Sequence, residues 1–295
     1  MKRATTAEEQ IAKIEQRGMT LDIGVDKTKE VLRDIGYFRL GFYSFPFEVN
    51  YPQTKHRDHQ YRAGSKISDA VALYYLDVDL RTILSKYIYR IEVNFRTNLV
   101  YQVSTKYLDC STWFVDPAVM ERKYIEAFDF KIYTDSFKLN PVIKRHHKKY
   151  TTDKYAPAWK TLEFITFGGI FTTYKNLKDV EIKQEIAGRY GIRNVSVMEN
   201  YMHSIVEIRN ICAHGRVLFD HTLKQRLTNG PALSINNQNE YRLDSAIKVI
   251  SFILNSISEN RTNDLQTEVA QLFNKFKDDA PIRWIIENCI GFTYF

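Results

Sequence analysis

Only three cysteines occur in the chain, Cys110, Cys212 and Cys289, and none belongs to a CxxC pair. So few and so scattered, they exclude a disulfide scaffold and a structural zinc site. The opening residues, MKRATTAEEQ, lack the apolar core of a secretory leader. The most apolar stretch, SAIKVISFILNSI, is interrupted by Lys248 and too short to span a bilayer. These absences predict a soluble protein of a reducing compartment, located in the cytoplasm and without a membrane partner. There is no GxxxxGK[ST] phosphate loop, no GxGxxG fingerprint and no HExxH pair. Internal repeats and low-complexity tracts are missing as well. Segments with clean strand alternation are scarce, and PALSIN at 231–236 is the one short extended candidate.

The 295 residues suffice for one large domain or two of ordinary size, and hydrophobic residues at 44% suffice for a packed core. The 19 Tyr and 18 Phe are expected mainly in that core. A formal net charge of +7 favours polyanions through long-range attraction and counterion release.

Helical signals dominate. TAEEQIAKIEQRG begins with a capping box, Thr6 with Glu9 three residues on, and ends at Gly18. DKTKEVLRDIG repeats the plan, with Asp26 at the start and Gly36 at the end. From Ser68 to Tyr107 there is neither Gly nor Pro. Leu76, Leu80, Ile83, Leu84, Ile88 and Ile91 recur there at helical steps, which predicts one long core helix. Segments 158–177, 179–189, 195–214, 242–258 and 264–277 read as further helices, with Gly191 and Gly215 at their ends. NYPQTKHRDHQYRAGSK is expected to be an exposed loop, and DDAP near 280 a second break. The fold class is all-α.

The densest basic run is KRHHKKY: Lys144, Arg145, His146, His147, Lys148, Lys149 and then Tyr150. Adjacent histidines on a helix point about 100° apart and no carboxylate completes a metal site, so the pair reads as part of a solvated basic face. The four cations beside an aromatic also suit an RNA backbone with stackable bases. Both readings stand on the sequence.

The most specific stretch is HSIVEIRNICAHGRVLF. Arg209, Asn210 and His214 interrupt an apolar helix just before Gly215. Residues five apart on a helix are about 140° apart, so Arg209 and His214 would not share a face. Gly215, as a left-handed terminator, ends the helix near Ala213 or His214 and frees the histidine from helical spacing. Such a pair suits RNA cleavage. RNA carries its own nucleophile, the 2′-OH, so a proton-transferring His and a phosphate-gripping Arg suffice, with no metal or cofactor. Asn210 can orient either group. One histidine cannot easily serve as base and acid on opposite sides of the phosphorus, which predicts two copies of the motif facing each other in a homodimer. The alternative is a structural cap, with Arg209 and His214 bonded to Glu207, Glu199 or free carbonyls.

EIRNICAHGR resembles the R-[N/H/D]-x3-H signature of the HEPN superfamily of helical endoribonucleases. Other stretches resemble the abortive-infection proteins of the AbiD/AbiF type. LRDIGYFRLGFYSFPF is similar to their iGYyRLsgY block, LYYLDVDLRTILSKYIYRIEVNFRTNL to their long helix, and PAWKTLEFITFGGIFTTYKNL to their W…E..sfG block. The resemblance covers roughly residues 10–225. It implies a single helical domain over 1–295, with a HEPN-type bundle at roughly 68–225, an N-terminal helical extension at 1–50 and C-terminal helices at 240–295. It further implies an RNase toxin in phage defence, with catalytic Arg209 and His214 and an accessory Asn210, whose partner is RNA rather than DNA, in some relatives a small RNA antitoxin. The alternative is a non-catalytic RNA-binding module that recognises a structured small RNA or regulates a partner. Glu92 and Arg96 match an E…R pair of the family and share a helix face. They are either an ion pair fixing the long helix against the motif helix or, with Glu207, a shell that orients Arg209 or grips phosphate. Tyr37 and Arg39 offer the same choice between packing and RNA contact. After the histidine the chain reads GRVLFD, where relatives carry RlwN-like residues. Arg216 preserves basic character there, while Phe219 and Asp220 depart from the pattern.

Overall fold

The structure, a computed structural model, describes residues 3–234 and 240–293. Among them fourteen α-helices follow one another: α1 Ala7–Gln16, α2 Val25–Asp34, α3 Tyr37–Ser44, α4 Ile67–Lys106, α5 Arg122–Lys131, α6 Asp135–Lys138, α7 Pro141–Lys149, α8 Ala158–Thr161, α9 Phe167–Lys175, α10 Val180–Gly188, α11 Val195–Ala213, α12 Leu243–Asn255, α13 Glu259–Asn274 and α14 Ala280–Ile285. No strand occurs among the described residues, only isolated β-bridges. The protein is all-α. Of the expected extended piece at 231–236, Leu233 pairs singly with Gly230, and its last two residues lie outside the described ones.

Backbone contacts divide the chain into two compact units. The first comprises Met1–Ile83, Ile211–His221 and Thr267–Phe295, and the second Leu84–Asn210 and Thr222–Gln266. Helix α4 contributes its first part to one and the remainder to the other. Along it Leu73, Leu76, Leu80, Leu84, Ile88, Ile91, Phe95, Leu99 and Val103 are buried. Their steps of three and four form one apolar stripe, each large side chain contributing about 1.5–3 kcal/mol of burial. In the second unit Phe95 meets the rings of Phe167, Tyr174 and Tyr190, with centroids 5.5–6.4 Å away.

Local chemistry explains most element ends. Thr6 and Glu9 form the expected capping box of α1. Helix α2 is capped by Gly24 rather than Asp26, which lies in its first turn. There a carboxylate favours the positive end of the helix dipole without capping it. The expected helix over 158–177 is broken: after α8 and a short tight turn, Thr166 turns extended and its side chain caps α9 through the Gly169 N–H at 3.1 Å. Helix α13 starts at Glu259, earlier than the apolar pattern indicated. The expected loop, residues 50–66, is non-helical and largely exposed.

Candidate functional site

At the end of α11 the Gly215 N–H donates to the Cys212 carbonyl at 3.2 Å, and the Arg216 N–H reaches the Ile211 carbonyl at 3.1 Å. With Gly215 at φ +60° this is a Schellman stop, and His214 is its C-cap. The glycine is needed because a side chain in the left-handed region is strained. His214 is exposed and makes no hydrogen bond or ion pair among the described residues.

The turn after His214 is held tightly within the first unit. Arg39 donates to the Gly215 carbonyl at 2.9 Å and Arg81 to the Arg216 carbonyl at 3.1 Å. Asp77, wholly buried, accepts the backbone N–H groups of Leu218 and Phe219 at 3.0 and 2.8 Å and the Tyr43 hydroxyl at 2.9 Å. Burial pushes its carboxyl upward, opposed by the Arg81 guanidinium and these donors. A buried acceptor so fully paired fixes the backbone it binds. Phe219 lies in the core beside Tyr43, Asp220 accepts from the Tyr51 hydroxyl at 2.9 Å, and the Arg216 side chain is exposed.

In the second unit Arg209 lies with Nε 3.4 Å from Oε2 of Glu92, and it donates to Asn210 Oδ1 at 3.3 Å. Glu92 also accepts from Arg96 at 3.0 Å, and Arg96 donates to the Ile165 carbonyl at 3.0 Å. Glu92 and Arg96 are nearly buried, with 9% and 11% of side-chain surface left, whereas Arg209 keeps 31%. One carboxylate therefore links the two arginines. The expected alternative, a cap in which Arg209 and His214 bond to Glu207, Glu199 or free carbonyls, is not formed by side-chain bonds among the described residues. Glu207 accepts the Lys224 N–H at 3.2 Å, and Glu199 pairs with Lys183 at 3.1 Å.

The basic run forms α7, capped by Asn140 through the Val142 N–H at 3.0 Å. Lys144, Arg145, Lys148 and Lys149 are exposed and have no carboxylate partner among the described residues. The histidines do not belong to that solvated face. His146 is buried with Nε2 3.1 Å from Asp153, and His147 Nε2 lies 2.9 Å from the Tyr133 hydroxyl. The reason is spacing: Ile143 and His146 form the inward stripe of α7. Asp77, Arg81 and Tyr43 were not among the expected site residues. Their sequence signals are the Asp77–Arg81 spacing of four within a helix and their place in the stretches that resemble the family blocks, where Tyr43 stands at the last position of the iGYyRLsgY-like one.

The family model for Abi-like proteins matches residues 30–220. The chain belongs to that family. The match takes in both halves of the motif, the Glu92–Arg96 pair, the Asp77 network and the basic helix of this Abi-like protein. No curated protein and no solved structure matches it. No helix among its described residues is long and apolar enough to cross a membrane. No three His, Cys, Asp or Glu side chains gather among them as a metal site requires.

Proposed function

We propose that this Abi-like protein is a HEPN-type endoribonuclease that arrests growth in phage defence, acting in the cytoplasm as a homodimer. The family supports the defence role. The observation that carries the nuclease reading is His214: an exposed, unpartnered imidazole on a turn fixed by Arg39, Arg81 and Asp77. Proton transfer requires such an exposed, available group.

In the proposed reaction the 2′-oxygen attacks the adjacent phosphorus and its proton passes to a histidine. The bond from phosphorus to the 5′-oxygen breaks, and a protonated histidine of the second copy supplies the proton to the leaving oxygen. Arg209, oriented by Glu92 and Asn210, stabilises charge on the phosphoryl oxygens. The ribose supplies the nucleophile, so neither metal nor cofactor is needed, and DNA is not a substrate. The bare cations of α7, with Arg216, serve as RNA backbone contacts. They equally support a second reading, a non-catalytic module that recognises a small structured RNA.

End-group analysis separates the two. Cleavage should persist in chelator and leave 2′,3′-cyclic phosphate and 5′-hydroxyl ends. Products with 5′-phosphate, or loss of cleavage in chelator, would indicate metal-activated water and refute the mechanism. Tight RNA binding with no cleavage would favour the second reading.

A further inference from the structure

Helix α3 presents Phe38, Arg39 and Phe42 on the surface of the first unit. Phe38 is 81% exposed and Phe42 45%. Their rings meet edge to face, centroids 5.1 Å apart. Isolated exposed apolar side chains are ordinary, but a bare aromatic pair beside a cleft marks an interaction site. The cleft, about 170 Å³, is lined by Arg17, Tyr37, Phe38, Phe42, Arg57 and His59 among others.

The charges say what it suits. Arg57 is neutralised by buried Glu48, donating through Nε at 2.9 Å, and His59 Nδ1 lies 3.2 Å from the same carboxylate. Arg17 and Arg39 are not neutralised. Arg17 donates to the Tyr37 hydroxyl at 3.1 Å, Arg39 to the Gly215 carbonyl at 2.9 Å, and neither has a carboxylate partner among the described residues. Two uncompensated guanidiniums thus flank two open rings. An anionic chain with accessible π faces complements both; a purely apolar partner surface would leave the guanidiniums desolvated and unpaired.

We propose that α3 is a docking ledge for single-stranded RNA beside His214, resting on the RNA-directed function proposed above. Arg39 takes a phosphate. One of its N–H groups is spent on the carbonyl of the residue after His214, which holds the guanidinium at that turn and leaves other donors for phosphate oxygens. Phe38 and Phe42 stack on unpaired bases leading away from that phosphate. Duplex RNA, whose base faces are already stacked, cannot use the rings.

The test is fluorescence anisotropy with a short labelled single-stranded RNA whose 2′-hydroxyls are methylated, so that binding is read without cleavage. Phe38→Ala should weaken binding roughly 5- to 150-fold, the range for loss of one stacked base. Phe38→Trp should stay near wild type. Arg39→Gln should flatten the slope of log affinity against log salt by roughly 0.7. Affinity for the matching duplex should not respond to Phe38→Ala. Phe38 is exposed, so its variants keep their fold. Unchanged single-strand affinity in Phe38→Ala overturns the ledge, as does failure of the wild type to bind the strand. Unchanged affinity with an altered sedimentation mass overturns it in favour of a contact between copies. Absence of cleavage of unmodified RNA would sink the nuclease reading while leaving this binding result standing.

Discussion

Replacing Glu92 by Gln keeps shape but removes the charge that links Arg96 and Arg209. Two unit charges about 4 Å apart attract by roughly 4 kcal/mol at an effective dielectric of about 20. Arg209 retains 31% of its side-chain surface, so water screens it and the net coupling should fall to about 1 kcal/mol. Arg96 is nearly buried, at 11%. Stripping this carboxylate leaves the guanidinium only the exposed Glu163, 3.9 Å away, at a cost of about 3 kcal/mol. Glu92→Gln should therefore destabilise by about 3–4 kcal/mol and Arg209→Gln by about 1 kcal/mol. The double variant should be about 1 kcal/mol more stable than the sum predicts. Urea unfolding of the four proteins, followed by far-ultraviolet circular dichroism, measures this cycle. Additivity within about 0.3 kcal/mol would show that the Glu92–Arg209 contact carries no energy, and the orienting role given to Glu92 would fall.

Gly230→Ala should cost about 1–3 kcal/mol in the same assay, because an added Cβ would lie 2.7 Å from the Tyr201 hydroxyl oxygen and 2.9 Å from a Val197 methyl. At Gly215, where the nearest atoms leave room but φ is +60°, Val should destabilise by more than about 1 kcal/mol and Asn by less, since Asn tolerates the left-handed region. Equal stability of the two would refute the Schellman stop. Burial lowers the His146 pKa, so the unfolded chain binds more protons once the pH drops below the ordinary histidine value of about 6.5. Stability should be full above that pH and be lost as the pH falls toward the folded-state pKa. Thermal unfolding between about pH 8 and about pH 5 checks this, and His146→Gln should show a shallower acid loss.

Much of this was legible locally. Gly215 betrays the end of α11 because only glycine readily takes its backbone angle, and the apolar spacing of α4 needs nothing beyond its own residues. The break before α9 was hidden because Thr166 sits within an apolar run, FITFGGIF, that reads as continuous helix. His146 was hidden by its neighbours: four cations mask one inward position, although Ile143 three residues earlier marks the stripe. The partners of Arg209 and of the turn after His214 lie far away in the chain. Glu92 and Arg96 show as a pair, yet nothing in the sequence says that Arg209 shares their carboxylate. Asp77 likewise binds backbone N–H groups, which carry no sequence signature at all.

The most direct test is RNA cleavage by His214→Ala and Arg209→Ala beside the wild type, in chelator, with helix content checked by circular dichroism. Each substitution should lower the cleavage rate at least roughly a hundredfold, a common loss for a proton-transferring or charge-stabilising group, and leave the helical spectrum unchanged. Near-normal cleavage by folded His214→Ala would contradict the account.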